Sequence, residues 1–391
     1  MAESLTLPTI QPQGMTLQNV PSVSLILGSV LNIAPTITTN PTISGTAKVG
    51  QTLTATAGDT TGTPPPTSTL QWQRSDNGTS GWTNITGATG TNYTAVSADE
   101  TKYLRVKQTA TNIEGSATAT SASSAQVAAA FTGLLDTYSD AAAAYSLRLL
   151  RTDYEGSCIR VRRSNDNAEQ NIGFRNNALD TSTLETFCGS SDGFVTTWYD
   201  QSGNEYNATK TTASAQPKIV SSGSTILENE KPAVRFDGGN DQLTNEFGTT
   251  YNQPTFSFLV HNFTSAPAAY DGVIGSAGSE HRLIMSGSLE YTLQAGGALR
   301  YNEYQTDQSL VSYKIQQSDP KLFFNGSQQS VSGGSSIGTT GLQGLILGGI
   351  SVDSGGGNTP VQIQELVIYA SDQDENRSGI ETNINEHYSI Y

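Results

Sequence analysis

The sequence has 391 residues, of which 14% are charged and 8% are aromatic, and its formal net charge is −15. This length allows two or three domains, and 39 glycines without long Ala/Glu/Lys/Leu/Arg stretches favour an all-β chain over a helical one. Of the 35 acidic residues, 29 follow residue 130. We therefore exclude nucleic acid and anionic membranes as partners, since such a surface repels both.

Residues 1–33 are predicted to form an N-terminal arm that docks on a partner. The segment carries one charged side chain, Glu3, and contains an apolar stretch, Val20–Leu31, that suits a strand. It lacks the basic and apolar regions of a signal peptide, and no apolar run in the chain reaches the length of a membrane span. The alternative is a disordered leader.

Residues 34–128 are predicted to form a small β-sandwich, because strand patterns alternate with turn signals every 8–12 residues. Its motifs are Gly50–Thr54, Leu70–Arg74, Gly81-Trp82, Ile85–Ala88, Tyr93 and Thr109–Gly115. Together these resemble the bacterial and phage immunoglobulin-like repeat, in which Trp72 would be the buried core tryptophan. The resemblance implies a spacer module, with a binding site as the alternative.

Residues 131–391 are predicted to form a jelly-roll sandwich with short capping helices. We expect helices over Ser139–Leu150, Thr181–Cys188 and Asp374–His387, with Ser139 and Thr181 or Ser182 as N-caps and Gly189 ending the second. The predicted strands are Cys158–Arg163, Ala233–Phe236, Thr255–Val260, Arg282–Met285, Tyr291–Gln294, Lys321–Phe324, Leu345–Leu347 and Val361–Tyr369. Cys158 and Cys188 either pair with each other or are two buried thiols.

The stretch Phe194–Asn204 combines a β-rich run with a polar turn. Trp198 and Tyr199 end the run, and Asp200–Asn204 form a loop in which Gly203 and Asn204 tolerate positive φ. An aromatic pair beside one carboxylate at the rim of a sandwich suits a sugar site. The alternative is that the rings pack in the core and Asp200 fixes its own loop by accepting backbone N–H bonds.

Several stretches of this second domain resemble one superfamily. Pro232–Asp241, Leu322–Gly326 and Ile363–Tyr369 are similar to strands of concanavalin-A-like, laminin-G-type sandwiches. A further set resembles the catalytic domain of the α-L-arabinofuranosidase B family: Ala144–Arg148, Ile159–Gly173, Phe187-Cys188 and Trp198–Gly203. The resemblance implies an all-β jelly roll, and domains of this kind also occur in phage virion proteins beside immunoglobulin-like modules.

The family's catalytic carboxylates are matched poorly. A retaining glycosidase needs two carboxylates about 5–5.5 Å apart. The family's nucleophile follows a Gly-His-Met element that this chain lacks, and Glu280 is the nearest candidate. The acid/base lies in a glycine loop, where Asp353 is displaced by one position. We therefore predict that the domain is not an enzyme, with arabinofuranosidase-type hydrolysis as the alternative.

Ligand binding is the function predicted instead. Trp198, Tyr199, Asp200 and Asn204, with Asp237, Asn240 and Asp241 on a second turn, offer ring faces and polar groups to a neutral sugar. The alternative is that these residues are structural turns. The three histidines lack zinc-site spacing, so no metal or cofactor is predicted, and Ca²⁺ at Asp237–Asp241 is the exception considered.

These observations together predict a surface protein of a bacteriophage virion. The arm would dock on other virion proteins, the immunoglobulin-like domain would act as a spacer, and the C-terminal domain would bind a host-surface glycan. A capsid decoration protein, a head fibre and a tail-associated adhesin all fit this description. The predicted location is the particle surface, and homo-oligomerisation is left open because no heptad pattern is present.

Overall fold

A computed structural model describes residues 31–276, 279–285, 290–303, 305, 307–350 and 357–391. Within it, contacts divide the chain into two compact units between Ala130 and Phe131. The predicted docking arm, residues 1–33, lies almost wholly outside the described residues.

The described part of the first unit, residues 31–130, contains nine strands. They are β1 (Ile33–Ile37), β2 (Thr42–Ser44), β3 (Thr52–Thr56), β4 (Thr60–Thr63), β5 (Thr67–Ser75), β6 (Thr83–Asn84), β7 (Asn92–Thr94), β8 (Tyr103–Asn112) and β9 (Gly115–Thr120). One sheet has the order β6-β5-β8-β9 and another has the order β2-β3-β7. Trp72 is fully buried in the core of this unit, and its Nε1 donates to the carbonyl oxygen of Gly90 over 3.0 Å.

The second unit contains 24 strands and three helices in the part that the structure describes. The helices are α1 (Leu134–Thr137), α2 (Thr181–Cys188) and α3 (Arg377–Tyr388). The strands up to residue 237 are β10 (Ala141–Ser146), β11 (Ile159–Arg163), β12 (Glu169–Ile172), β13 (Phe174–Arg175), β14 (Ala178–Leu179), β15 (Gly193–Trp198), β16 (Ala208–Thr209), β17 (Lys218–Ser221), β18 (Ser224–Thr225), β19 (Leu227–Glu228), β20 (Lys231–Pro232) and β21 (Val234–Asp237). The later strands are β22 (Leu243–Tyr251), β23 (Thr255–Phe263), β24 (Gly272–Ser276), β25 (Ser279–Met285), β26 (Glu290–Ala295), β27 (Ala298–Glu303), β28 (Ser309–Ile315), β29 (Lys321–Phe324), β30 (Ser327–Gln328), β31 (Gly333–Ser336), β32 (Leu342–Leu347) and β33 (Pro360–Tyr369).

Strand β33 lies at the centre of this unit. It pairs along one edge with β23, and along the other with β10 at its end and with β21 at its start, all antiparallel. Strands β10 and β21 belong to separate motifs of the sequence, Ala144–Arg148 and Pro232–Asp241. Pairing with β33 brings the two motifs into one sheet. The prediction of an all-β, jelly-roll-like fold with a few short helices is confirmed.

Two apolar clusters lie on either side of this sheet. The large cluster includes Val234, Phe236, Val361 and Ile363 from β21 and β33. The second cluster packs α1 and α3 against Phe256, Phe258, Val367 and Tyr369. Alternate side chains along β33 therefore pack into different apolar clusters, as expected for a strand covered on both faces.

The helix predicted over Ser139–Leu150 is wrong, because residues Ala141–Ser146 form strand β10. All six residues are buried, Ala143 and Tyr145 in the large cluster and Ala144 in the second. The helix preference of alanine is less than about 1 kcal/mol per residue. Pairing with β33 and burial on both faces outweigh it, and the small side chains let both cores approach the strand.

The other two helices are confirmed: α2 has the predicted bounds, and α3 runs from Arg377 to Tyr388 instead of Asp374–His387. Helix α2 begins after Asp180, whose Oδ1 accepts from the backbone nitrogen of Thr183 over 3.1 Å, so the cap precedes the predicted Thr181 or Ser182. Gly189 ends it with φ 59°, as predicted. Cys158 and Cys188 are both buried free thiols. No helix among the described residues is long and apolar enough to cross a membrane.

Candidate functional site

Trp198 ends strand β15 inside the protein. Its side chain is fully buried, and its ring lies edge-on to Tyr145 with 6.3 Å between ring centroids. The prediction that this ring lies at the rim for sugar stacking is therefore not supported, because both neighbouring strands and the large cluster enclose it. Tyr199 is half-buried, and its hydroxyl donates to Asn171 Oδ1 over 2.9 Å.

Asp200 organises the loop that follows. Its carboxylate accepts from the backbone nitrogens of Ala144 (2.8 Å), Ser202 (2.9 Å) and Tyr206 (3.1 Å), and from Ser202 Oγ (2.7 Å). Only 4% of Asp200 is exposed. Four donors satisfy one carboxylate, so Asp200 holds the loop against the middle of β10, as the structural alternative predicts.

Gln201 and Asn204 fasten the same loop to β10. Gln201 is fully buried, its Oε1 accepts from the nitrogen of Leu150 over 2.8 Å, and its Nε2 donates to the carbonyl oxygens of Ser146 and Arg148, each over 3.0 Å. Asn204 Nδ2 donates to the carbonyl oxygens of Ala141 and Ala142 over 3.1 and 3.0 Å. The Tyr-Asp-Gln-Ser-Gly element is thus an internal clamp.

A cleft of about 520 Å³ lies beside this clamp. Arg151, Asp153, Ser202 and Asn204 are among the residues that line it. Arg151 makes a bidentate pair with Asp153 (2.9 and 2.8 Å), and its Nη1 donates to the carbonyl oxygen of Ser202 over 2.9 Å. Because these polar groups bond one another, the cleft presents little that a ligand would recognise.

The turn Asp237–Asp241 is the second predicted site. Asp237 Oδ1 accepts from the nitrogen of Gly239 over 2.7 Å, and Asp241 Oδ2 accepts from the nitrogen of Asp237 over 3.1 Å. Asp237 and Asn240 are exposed, whereas only 7% of Asp241 is exposed. The turn therefore places one exposed and one buried carboxyl group next to each other.

Burial raises the pKa of Asp241 to about 7, and the neighbouring charge of Asp237 adds to the effect. Lys218 and Arg235 oppose it from two neighbouring strands. A carboxyl group with such a pKa still carries its proton near neutral pH. It can therefore donate a proton to a leaving oxygen, which is the task of the acid in glycoside hydrolysis.

The glycine loop after β32 packs against Phe236 and the backbone of Asp241. A β-carbon on Gly348, where φ is 79°, would lie 2.3 Å from Phe236 Cδ1 and 3.0 Å from the carbonyl oxygen of Asp241. Gln242 Nε2 donates to Asn358 Oδ1 over 2.8 Å, and Asn358 Nδ2 donates to the carbonyl oxygen of Gly239 over 2.6 Å. Two segments noted separately in the sequence, the Asp237–Asp241 turn and the start of the Leu347 loop, thus meet in the structure.

The two predicted halves of the sugar site lie far apart. Asp237 pairs with Pro360 at the start of β33, whereas Ala141, which Asn204 contacts, pairs with Tyr369 at its end. Nine residue steps of extended strand separate those positions, a distance of roughly 30 Å. The structure therefore does not bring Trp198, Tyr199, Asp200 and Asn204 into one site with Asp237, Asn240 and Asp241.

The two catalytic candidates of the sequence differ in what the structure shows. Glu280 is exposed on β25, next to Ser279, whose register partner on β24 is Ser276. Both ends of β24 approach the glycine loop after β32. A β-carbon on Gly275, beside Ser276, would lie 2.6 Å from the carbonyl oxygen of Gly349, and one on Gly272 would lie 3.1 Å from the same oxygen. Asp353 lies outside the described residues. The sequence could not have shown that Asp241 is buried. The segments that pack around it, near Gly348 and Asn358, lie more than 100 residues further along the chain.

Within the described ranges, no group of three or more His, Cys, Asp or Glu residues is arranged to hold a metal ion. The Ca²⁺ considered at Asp237–Asp241 stays a prediction. His261 and His281 are buried, and burial lowers their pKa values to about 3 and about 4. His281 contacts Thr255 Oγ1 over 2.8 Å, so both histidines are neutral core residues.

Two family models match the chain. Residues 136–238 match the model for "Alpha-L-arabinofuranosidase B, catalytic", and residues 34–129 match a domain of unknown function (DUF8696). No curated protein sequence matches. The first match begins at α1, includes the Asp200–Asn204 clamp and ends one residue after Asp237. It shows that residues 131–391 contain a glycoside-hydrolase-like β-sandwich.

Solved structures are similar at low identity. An arabinofuranosidase complexed with arabinofuranosyl-α-1,2-xylobiose has a TM-score of 0.46 at 18% identity, covering 62% of this chain and 62% of that chain. A GH54 α-L-arabinofuranosidase soaked with a cyclic sulfate inhibitor has a TM-score of 0.44 at 17% identity, with the same coverage of both chains. A Trypanosoma rangeli sialidase in complex with sialic acid has a TM-score of 0.36 at 10% identity, covering 88% of this chain and 77% of that one. The chain thus spans less than two thirds of those arabinofuranosidases, and similarity at this level carries no argument about function.

The prediction that the domain is not an enzyme is contradicted. The family model that residues 136–238 match is that of a catalytic domain, and it covers the Tyr-Asp-Gln-Ser-Gly element. That prediction relied on the poor matches at Glu280 and Asp353, and it assigned Asp241 to ligand binding. None of these matches tests the immunoglobulin-like or the virion prediction, and both stay predictions.

Proposed function

We propose that residues 131–391 act as a glycoside hydrolase of the α-L-arabinofuranosidase type. The observation that carries the proposal is the match of residues 136–238 to the catalytic-domain model of that family. Beyond the matched residues, β33 pairs with β10 and β21, and α3 packs against the same sheet.

Asp241 is the proton donor in this proposal. It is 7% exposed, its pKa is raised to about 7, and it lies against the glycine loop after Leu347. Its Oδ2 is held by the nitrogen of Asp237. In hydrolysis the acid would protonate the leaving glycosidic oxygen while a second carboxylate attacks the sugar or activates water. Asp237, Glu280 and Asp353 are the candidates for that second carboxylate.

The test is release of 4-nitrophenol from 4-nitrophenyl α-L-arabinofuranoside by the full chain. Asp241→Asn is expected to lower kcat by at least about 100-fold, the lower end of the range for general acid catalysis. Asp237→Asn, Glu280→Gln and Asp353→Asn identify the second carboxylate. Glu114→Gln, on the exposed β8–β9 turn of the first unit, is the matched control.

No release above the uncatalysed rate by the unchanged chain, on this and other aryl glycosides, would contradict the proposed function. Full activity of Asp241→Asn with loss in Glu280→Gln and Asp353→Asn would leave the function standing and move the proton donor elsewhere.

A role on a bacteriophage particle is a separate proposal. It is supported only by sequence, namely an apolar N-terminal segment with one charged side chain, Glu3, followed by two β-domains. Residues 1–33 would dock on other virion proteins and the second unit would contact a host glycan. Deleting residues 1–33 is then expected to abolish incorporation into particles, and normal occupancy of the truncated chain would contradict the docking role.

A further inference from the structure

Six residues on neighbouring strands form one row across the sheet that contains β33. Successive members are register partners: Arg162 with Phe194, Phe194 with Lys218, Lys218 with Arg235, Arg235 with Gln362, and Gln362 with Asn262. Direct partners on antiparallel strands project their side chains to the same face. We call Arg162, Phe194, Lys218, Arg235, Gln362 and Asn262 the cross-strand row.

The row faces away from the large apolar cluster. Val234 and Phe236, on either side of Arg235, belong to that cluster, as do Val361 and Ile363, on either side of Gln362. Because side chains alternate along a strand, Arg235 and Gln362 lie on the opposite face. From Lys218 to Asn262 the row crosses four strands, a span of about 14 Å at the usual strand spacing of about 4.8 Å.

Three cations lie in this row of an acidic protein. Arg162 and Lys218 flank the ring of Phe194, at 4.8 and 5.4 Å from its centroid. Arg162 donates to Gln216 Oε1 (2.7 Å), Asn167 Oδ1 (2.9 Å) and a backbone carbonyl oxygen, none of which is a carboxylate. Lys218 pairs with Asp192 over 2.7 Å. The row therefore carries more positive charge than its direct contacts neutralise.

The other end of the row has polar groups without partners. Within the part of the chain that the structure describes, the side chains of Arg235, Gln362 and Asn262 make no hydrogen bond or ion pair. Gln362 Oε1 and Asn262 Oδ1 are buried and unpartnered, and only 8% of Gln362 is exposed. Buried amide oxygens in native proteins almost always have a donor, so their lack of one points to a group that binds there.

We propose that the cross-strand row binds an acidic saccharide, a sugar whose ring carries a carboxylate. Arg235 has the planar fork of donors that suits a carboxylate. The amide oxygens of Gln362 and Asn262 accept from sugar hydroxyls, and Phe194 offers an apolar ring between two cations. A neutral sugar would leave Arg235 without an anion, and an inorganic anion would leave both amide oxygens without donors.

The neighbouring carboxylates set the conditions for binding. Asp192, Asp237 and Asp241 are the acidic groups that act on Lys218, Arg235 or each other at this place. Asp192 already pairs with Lys218, and Asp237 is exposed to solvent. Asp241 is largely protonated below pH 7, so it repels an anion least in slightly acidic solution.

The experiment is calorimetric titration of the full chain with trigalacturonic acid and with its methyl ester, at about pH 6, where Asp241 holds its proton. The ester keeps the sugar hydroxyls and removes the charges, so it is the matched ligand control. We expect the acid to bind about 10-fold to 100-fold more tightly than the ester, the range expected for a charge-assisted pair. Equal affinity for both, or no binding of the acid, would overturn the proposal.

Variants then locate the site. Arg235→Gln is expected to remove the preference for the acid over the ester, whereas Arg175→Gln, an exposed arginine on the β13–β14 hairpin, should keep it. Unchanged preference in Arg235→Gln would contradict the location. If that variant does not fold, the acid and ester comparison on the unchanged chain still decides the ligand class. Both assays measure binding alone, so absence of hydrolysis would leave this result unaffected.

Discussion

Arg148 and Glu365 form a bidentate ion pair inside the second unit. Arg148 Nε donates to Glu365 Oε2 over 2.8 Å, and Nη2 donates to Oε1 over 2.9 Å. Ser146 Oγ donates to the same Oε2 over 2.7 Å, and Arg148 Nη1 reaches Asn383 Oδ1 on α3 over 2.9 Å. The pair thus joins β33, the end of β10 and α3.

Replacing Arg148 with methionine is expected to lower the free energy of unfolding by about 3–5 kcal/mol, because Glu365 would be left as a buried, unpaired charge. Urea unfolding followed by circular dichroism measures the change. The control is Arg160→Met, which removes the exposed pair with Glu169 and should cost about 0–1 kcal/mol. Similar costs for both substitutions would contradict the assigned importance of the buried pair.

The same pair predicts an acid dependence. Burial alone would raise the pKa of Glu365, but Arg148 and Ser146 hold it below its ordinary value. A carboxylate with a depressed pKa stabilises the fold above the pKa of the unfolded chain, about 4.3, and this contribution is lost as pH falls through the folded value. The stability difference between the unchanged chain and Arg148→Met should therefore narrow below about pH 4. A constant difference down to about pH 2 would contradict this.

Gln201→Ala is expected to destabilise the second unit by about 2–4 kcal/mol, since it removes three buried hydrogen bonds to the backbone groups of Ser146, Arg148 and Leu150. The thermal midpoint of the full chain measures the effect. Gln317→Ala, at an exposed position, should change stability by less than about 0.5 kcal/mol. If Gln201→Ala melts like the control, the clamp does not hold β10.

Trp198→Ala is expected to cost about 3–5 kcal/mol of stability, because it opens a cavity in the large cluster beside Tyr145. Any loss of sugar binding in this variant should follow the unfolded fraction, as measured by binding and unfolding on the same samples. Tyr199→Phe, which loses the hydroxyl that bonds Asn171, is the matched control. Lost sugar binding in a fully folded Trp198→Ala protein would contradict a purely internal role.

Asp241 predicts a dependence of opposite sign to that of Glu365. Its folded pKa of about 7 lies above the unfolded value of about 3.9, so its contribution to stability is present below about pH 4 and is lost as pH rises toward 7. Asp241→Asn carries no charge. As pH rises from about 4 to about 8, its free energy of unfolding should increase relative to that of the unchanged chain by on the order of 2 kcal/mol.

Denaturant unfolding at several pH values measures this gain. Asp237→Asn is the matched variant: the charge of Asp237 helps to raise the pKa of Asp241, so its removal should shrink the pH dependence. A pH-independent difference between Asp241→Asn and the unchanged chain would show that Asp241 ionises normally.

Short sequence patterns predicted those helix ends and strand bounds that depend only on neighbouring residues. Gly189 ends α2 because the chain must adopt a positive φ there, and the bounds of β29 are those predicted for Lys321–Phe324. The alanine run at Ala141–Ser146 was mistaken for a helix because its environment, two cores and β33, comes from residues more than 100 positions away.

The functional features depend even more on distant residues. Trp198 and Tyr199 are adjacent in sequence, yet one is fully buried and the other is half exposed, and the sequence holds no sign of which. Asp241 acquires its raised pKa from enclosure by segments near Gly348 and Asn358. The cross-strand row takes its residues from six strands between positions 162 and 362, so no short motif encodes it.

The central place of β33 also governs how the second unit is made. Strand β10 is synthesised more than 200 residues before its partner residues Glu365–Tyr369. Strand β21 is synthesised about 125 residues before its partner residues Pro360–Ile363. Until then, the edges of both strands are open to pairing with other chains. Biosynthesis of this unit thus favours slow elongation with chaperones at hand, and stalled or nicked chains lacking β33 are the species expected to aggregate.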